Sequence, residues 1–319
     1  MSRNKRRDDK DIDRLSSFLY WEGNFRLKEL KPIKNDVLLI TSDNLERYIL
    51  KRHSNKKNIT QQWEFFSKIN AEMITPFVRF PNGRKIISDE NHFYWTLTPF
   101  IQGRKLNYIS PIDRKTAVQT LRNFHRNASE VFVENRVNKQ LFYLRWYNRL
   151  QTFKKTEYLF LKFGYENLYK DITKKTEQSI QLVATYPWKL IQRQAEESGI
   201  WVHGDVASHN FIQNERTYLI DFDLLLCTSQ IYDYIQLGQR FLPYVNWDID
   251  QLLTYRMVED SDVPIWLMAI AIPSDVLREW LHYLSHQRSD RSIDNYLTEM
   301  EKNWMKRKDF VKMAKLVVK

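Results

Sequence analysis

The sequence predicts an α+β chain in two lobes, a small one built on an antiparallel sheet and a larger, mostly helical one. Three observations carry this. Residues 25–98 hold short apolar, β-prone runs broken by turn clusters, whereas from about residue 112 onward apolar residues recur at helical spacing. The length, 319 residues, is enough for two lobes that each bury a core. One stretch inside the helical part, Trp201–Asp223, returns to strand-like runs and concentrates polar, chemically capable side chains.

The small lobe is expected to reach residue 101. Residues 1–14 mix basic and acidic side chains without periodicity and read as a flexible tail. Ile12, Leu15, Phe18 and Leu19 then suggest a short helix. Candidate strands follow at Phe25–Leu30, Asp36–Ile40 and Arg47–Lys51, with Ser42-Asp43-Asn44 as a turn between the last two. Ile59–Ile69 reads as a helix with Trp63, Phe66 and Ile69 on one stripe. Phe77–Phe80, Lys85–Ile87 and His92–Thr98 read as strands, the last running into Pro99-Phe100-Ile101-Gln102-Gly103.

The large lobe, 102–319, is expected to open with a helix over Ile112–Glu130. Residues 135–175 carry ten Lys or Arg against three Asp or Glu, interleaved with aromatics. Such a stretch can bind nucleic acid, but no nucleic-acid motif accompanies it, and amphipathic helices with a solvated basic face are the plainer reading. Helical stripes follow in Asp250–Met257, Ile265–Ile272 and Ser274–Leu284, with Pro264 and Pro273 as punctuation. The segment Glu301–Lys319 reads as a basic amphipathic helix docked on the lobe.

In Trp201–Asp223, Phe211-Ile212 and Tyr218-Leu219-Ile220 form a hairpin around Gln213–Thr217. His203, Asp205 and Asn210 lie on the loop that enters it, and Asp221 leaves its second strand. A hairpin brings its ends together, so Asn210 and Asp221 converge with Asp205 nearby. An amide oxygen and a carboxylate suit Mg²⁺, a hard cation that takes few protein ligands, and Asp205 is placed to act as a general base. In the plainer reading Asp205 and Asn210 cap a turn and Asp221 a helix. Four residue types in register with one chemistry favour the first.

H-G-D-x-x-x-x-N followed by I-D-F-D resembles the aminoglycoside phosphotransferase and choline kinase superfamily, small-molecule relatives of the protein kinases. The resemblance implies a bilobal protein-kinase-like fold with ATP and Mg²⁺ between the lobes. It implies Asp205 as catalytic base, Asn210 and Asp221 as metal ligands, and His203, Asp223 and Asp233 as structural members of the site. Lys51, closing the run RYILK, resembles the kinase strand lysine that holds nucleotide phosphates, and Glu64 is its candidate helix partner. A solvated strand-end lysine and a surface glutamate are the plainer readings of these two. Thr98, Pro99, Phe100 and Ile101 resemble the hinge that meets adenine through its backbone, and His125 a packed structural histidine. The turn assigned to cover the phosphates, Thr41–Glu46, has no glycine, which departs from the kinase pattern. The order of I-L-K, FPNGR, TPFIQGR, LRNFH, HGD, IDFD and AIPSDV is similar to the CotS-type spore-coat branch.

Bulk properties set limits. The net charge of +11 favours anionic partners such as nucleotide phosphates. The single cysteine, Cys227, excludes an intrachain disulfide and fits a reducing compartment. No run reaches the ~18 apolar residues of a membrane helix, and the first residues lack the apolar core of a secretory signal. The expectation is a cytoplasmic ATP- and Mg²⁺-dependent phosphotransferase acting on a small-molecule hydroxyl. The rival is a catalytically weak, kinase-like structural protein with spore-coat proteins as partners. A nucleic-acid partner is not expected.

Overall fold

The computed structural model describes residues 2–317, with side chains described from residue 13 to residue 316. The chain opens with helix α1 (Ser2–Gly23). It runs through the segment expected as a tail, and the short helix expected after it is its second half. Leu15, Phe18 and Leu19 hold this half against the sheet. The sheet is antiparallel, in the order β1-β2-β3-β5-β4, from β1 (Leu27–Lys34), β2 (Val37–Ser42), β3 (Arg47–His53), β4 (Ile87–Ser88) and β5 (Tyr94–Pro99). Ile40, Leu50, Leu97, Phe25 and Phe80 make its core. The edge strand β1 is exposed along most of its length and carries Lys28, Lys31, Lys34 and Pro32, which discourage pairing with another chain. Of the expected strand at residues 77–80, a single bridge from Val78 to Leu97 forms.

Helix α2 (Lys56–Lys68) starts where the Asn55 side chain accepts the backbone N–H groups of Lys57 and Asn58. It follows the small lobe's third strand in sequence but is rooted in the large lobe's core. Phe65 packs against Trp201 with ring centroids 5.2 Å apart, and Phe66 against Phe222 at 5.3 Å. Gln61, also buried, donates to the Leu225 carbonyl at 3.0 Å and accepts the Val137 N–H at 2.6 Å.

After β5 the chain enters the large lobe through β6 (Arg104–Lys105), which pairs with the hairpin of β8 (Phe211–Gln213) and β9 (Thr217–Leu219). Strands β7 (Trp201–Val202) and β10 (Leu226–Cys227) form a second small pair beside it. Around these lie α3 (Pro111–Asn127), α4 (Phe142–Lys154), α5 (Glu157–Lys162), α6 (Glu166–Ala184), α7 (Trp188–Glu197), α8 (Ile231–Phe241), α9 (Ile249–Leu253), α10 (Val263–Ile270), α11 (Ser274–Leu284) and α12 (Asp290–Val317). Pro111 stands at the first turn of α3 behind the Ser110 cap, where its missing N–H has no consequence.

The basic and aromatic stretch 135–175 becomes α4, α5 and the first half of α6, with Phe142, Trp146, Leu150 and Phe153 buried, Lys155, Lys162 and Lys170 exposed, and Arg145, Arg149 and Lys154 half-buried. Helix α12 begins earlier than expected and is docked. Trp304 donates to Asp171 at 2.8 Å, and buried Arg307 pairs with Asp275. Its last expected residues, 318 and 319, lie outside the described residues. Cys227 is buried. Among the described residues, no helix is long and apolar enough to cross a membrane.

Candidate active site

The hairpin registers Phe211 against Leu219 and Gln213 against Thr217. Beyond the ladder the Ile220 N–H donates to the Asn210 carbonyl at 3.0 Å, so Asn210 and Asp221 leave the hairpin side by side. Asp221 sits at φ 65°, ψ 68°, a left-handed conformation that costs a non-glycine residue energy and that Asp and Asn tolerate better than most. That backbone turns the chain into the Phe222–Leu224 helical turn.

The loop before the hairpin is pinned from beneath. Asp233, fully buried on α8, accepts the backbone N–H groups of His203 and Gly204, each at 2.8 Å, and meets His125 Nε2 at 3.0 Å. The buried His203 ring meets the Ile220 carbonyl at 2.9 Å through Nε2 and accepts the Asp205 N–H at 3.3 Å through Nδ1. Gly204 has φ 83°, and a Cβ there would lie 2.3 Å from the Leu224 carbonyl oxygen, so only glycine fits. Asp205 is thus held at a fixed height with its carboxylate 32% exposed. Asn210 donates to one carboxylate oxygen at 3.1 Å, and Arg240 of α8 to the other at 2.8 Å.

From the small lobe, Lys51 on β3 reaches into this arrangement. Its Nζ lies 2.5 Å from Asp221 Oδ1 and 2.6 Å from Asp223 Oδ2. Burial by itself would lower the ammonium's pKa, but the two carboxylates outweigh it and hold the pKa above the ordinary lysine value. Burial likewise works to raise the Asp221 carboxyl, and Lys51, with help from Lys34, holds it below the usual carboxylate range. His53, next to Asp223 and bonded to Thr96 at 2.9 Å, is pushed down to about 4, chiefly by burial. Asp221 and Asp223 already converge on one cationic centre, and Asn210 leaves the same end of the hairpin, its side-chain nitrogen donating to Asp205. This hard-oxygen donor set fits Mg²⁺.

Three expectations change. Glu64 does not meet Lys51. It accepts the backbone N–H groups of Glu134 at 2.6 Å and Asn135 at 3.3 Å and pairs with Lys68 at 2.9 Å. The cause is α2 itself: its Gln61 and Phe65 are committed to the large lobe, which turns Glu64 toward residues 134–135. Burial opposes ionisation there, yet these donors bring its carboxyl down to about 2.

The turn nearest Lys51 is also a different one from the expected Thr41–Glu46. Val37 pairs with Lys51, so the β1–β2 turn at Asn35-Asp36 stands at the lysine's end of the sheet, whereas Thr41 pairs with Arg47 at the opposite end. The β1–β2 turn has no glycine either. It carries Lys34, whose ammonium is 3.6 Å from Asp221.

At the hinge, Thr98 and Pro99 complete β5 opposite Ile49 and Tyr48. The Phe100 N–H is spent on the Arg47 carbonyl at 3.0 Å, and Arg47 stacks over the Phe100 ring at 4.5 Å. Pro99 has no N–H. Ile101 therefore offers the segment's first uncommitted amide among the described residues. Arg240 and Lys34 were not singled out in the sequence. A lone arginine in an amphipathic helix and a lysine in a charged edge strand carry no local signal.

A family model described as "Phosphotransferase enzyme family" matches residues 29–256. The chain belongs to that family. No curated protein sequence matches it. Among solved structures, the phosphotransferase fold seen here is similar to that of an aminoglycoside phosphotransferase from Alicyclobacillus acidocaldarius, at 17% identity and TM-score 0.67 over 92% of each chain. A spectinomycin phosphotransferase solved with ADP and spectinomycin is 12% identical, with TM-score 0.62 over 90% of this chain and 94% of that one. An amicoumacin kinase solved with AMP-PNP and Ca²⁺ is 15% identical, with TM-score 0.59 over 98% of this chain and 96% of the other. At these identities the likeness establishes the protein-kinase-like fold.

Proposed function

We propose that this phosphotransferase moves the γ-phosphoryl group of ATP to a hydroxyl of a small molecule. One observation carries the reading: Lys51 of the small lobe is bonded to Asp221 of the large one at 2.5 Å, Asp221 leaves the hairpin beside Asn210, and Asn210 donates to Asp205 at 3.1 Å. Asp205 accepts the acceptor's hydroxyl proton, and Asn210 and Arg240 fix its carboxylate for that task. Lys51 and Lys34 balance phosphate charge, and the hinge at Thr98–Ile101 takes the base, chiefly through the Ile101 amide. Asn210 and Asp221 hold Mg²⁺, with Asp223 at the rim. The metal, when bound, neutralises charge developing on the transferred group. Positioning and electrostatic stabilisation then supply most of the acceleration.

Asp221 supports the enzymatic reading over a purely structural one. Its strained backbone points a carboxylate into the cleft, and such strain gathers at functional sites. The finer placement in the CotS-type spore-coat branch rests on the order of sequence landmarks alone, as do spore-coat partners. A cytoplasmic location rests on the single, buried cysteine alone. The deciding experiment is thermal unfolding with ATP, with and without Mg²⁺, on the wild type and Asp221→Ala, followed by ADP release with candidate acceptors. A magnesium-dependent rise in Tm that the variant loses supports the reading. A folded wild type that is indifferent to millimolar Mg²⁺ and ATP overturns it.

A further inference from the structure

We infer that the hydroxyl acceptor carries an anionic group, held by Arg149 and Arg278 beside Asp205. This rests on the phosphotransferase reading and adds the acceptor's charge to it.

The argument is one of convergence. Three helices meet at Ser274, the first residue of α11. Its hydroxyl donates to Gln239 of α8 at 3.0 Å, and its carbonyl accepts from Arg149 of α4 at 3.2 Å. Gln239 is the residue before Arg240, whose guanidinium touches Asp205. Arg278 stands four residues after Ser274, one helical turn along the same side of α11. Arg149 and Arg278 therefore flank the junction at Ser274, and Arg240, one residue beyond Gln239 on α8, links that helix to the candidate base.

All three are half-buried, a costly place for cations without counter-charges. Arg240 has its carboxylate in Asp205, and Arg278 has Glu279, its neighbour in sequence, at 2.8 Å. Arg149 has no carboxylate within 4.0 Å among the described residues. Asp275, the nearby candidate, gives one oxygen to Arg307, and its other oxygen makes no hydrogen bond to Arg149. Burial, and after it the proximity of Arg278, lowers the pKa of Arg149 and of Arg240, so Arg278 lies within electrostatic range of both. The same wall continues toward Asp223 through Arg145, which lies over the Tyr232 ring at 5.0 Å, and Lys139. The Nε atoms of Arg145 and Arg240 are buried without a hydrogen-bond partner.

A cationic acceptor would add charge to a surface that already holds an excess of it. A carboxylate or phosphate on the acceptor would supply the missing partner, and arginine's planar fork suits both. Its hydroxyl would then lie within reach of Asp205.

The test holds the nucleotide site closed. With saturating Mg²⁺ and AMP-PNP at constant ionic strength, thermal unfolding is followed with glycerol 3-phosphate, glycerol or kanamycin at millimolar concentration. The expected result is a rise in Tm with glycerol 3-phosphate alone. Arg149→Gln and Arg278→Gln, each shown folded by a cooperative melt in buffer, weaken that response about tenfold, and Arg278→Lys restores most of it. Stabilisation by kanamycin overturns the inference, as does equality of glycerol 3-phosphate and glycerol, or wild-type responses in both Gln variants. Failure of Mg²⁺ and AMP-PNP to stabilise the wild type strikes instead at the phosphotransferase reading, before any acceptor probe is added.

Discussion

Lys51 and Asp221 bind each other at 2.5 Å across the cleft, strand lysine of the small lobe to hairpin carboxylate of the large one. Asp223 closes on the same ammonium from a second side at 2.6 Å. The helix glutamate expected to pair with this lysine is elsewhere, so the lysine's position is set by the residues that would face magnesium and phosphate. Nucleotide binding must exchange this pair for lysine–phosphate and carboxylate–metal contacts, and that exchange makes the first prediction.

Asp221→Asn keeps the side-chain shape and removes the charge. Wild-type protein at ~100 times the dissociation constant gains about 2.7 kcal/mol from ligand. The variant is expected to lose the magnesium-dependent part of that gain while still unfolding cooperatively. An unchanged magnesium dependence in calorimetric titration would remove Asp221 from the metal site.

Asp205→Asn should lower turnover by about 10²–10⁴ while nucleotide affinity stays close to wild type, because general-base catalysis contributes about that factor. Arg240→Gln should also lower kcat more than it changes the KM for ATP, with Arg240→Lys intermediate, since Arg240 acts through Asp205. Steady-state kinetics on purified variants decide this. A fall confined to the KM for ATP in either variant contradicts the assignment.

Glu64 predicts a pH dependence of stability. Its carboxyl titrates at about 2 in the folded chain, below its ordinary value near 4.5. A lowered folded-state pKa means the unfolded chain binds the proton first. The stabilisation is therefore complete above about pH 4.5 and is lost as pH falls toward 2. Glu64→Gln should cost about 1.5–3 kcal/mol at neutral pH, the range for hydrogen bonds to a charged group, with the gap to wild type narrowing below about pH 4.5. Denaturant melts at several pH values measure this, and a pH-independent gap would contradict it.

Gly204→Ala should destabilise the loop by at least about 1–3 kcal/mol from the left-handed backbone alone, before the 2.3 Å approach to the Leu224 carbonyl is counted. Hydrogen exchange at residues 203–210 should rise, and activity fall with it. Wild-type melting and exchange in the variant would refute the packing argument.

Lys34→Ala should weaken ATP binding by no more than about fivefold, the scale of an exposed ion pair, and the deficit should shrink as salt is added. Its side chain is 62% exposed. A salt-independent loss, or none at low salt, would mean that the β1–β2 turn does not attend the phosphates.

Much of this site was legible because its signals are local. The hairpin announces itself through Phe211-Ile212 and Tyr218-Leu219 around a polar turn, and a hairpin's ends must meet, so Asn210 and Asp221 followed from spacing. Asp233 followed from resemblance, and the structure puts its carboxylate under the loop amides. What escaped depended on distant partners. The face that α2 turns to the cleft is set by Phe65 and Gln61 docking on the large lobe, which the helix's own periodicity does not record. Strand β1 is so charged beyond Leu30 that its local pattern ends there, which hides the turn at Asn35-Asp36 and leaves Thr41–Glu46 as the visible one. The N-terminal helix was cut short because its first turns lack an apolar stripe.

The left-handed backbone at Asp221 bears on how such a protein can change over generations. The residues most at ease in that conformation are glycine and asparagine. Either replacement is reachable by a single nucleotide change, relaxes the chain, and removes the carboxylate that faces Lys51. Drift toward greater stability at this one position therefore runs toward silence of the site. A lineage that retains the aspartate retains it against that pull, and one that lost it would keep an intact fold with the chemistry switched off.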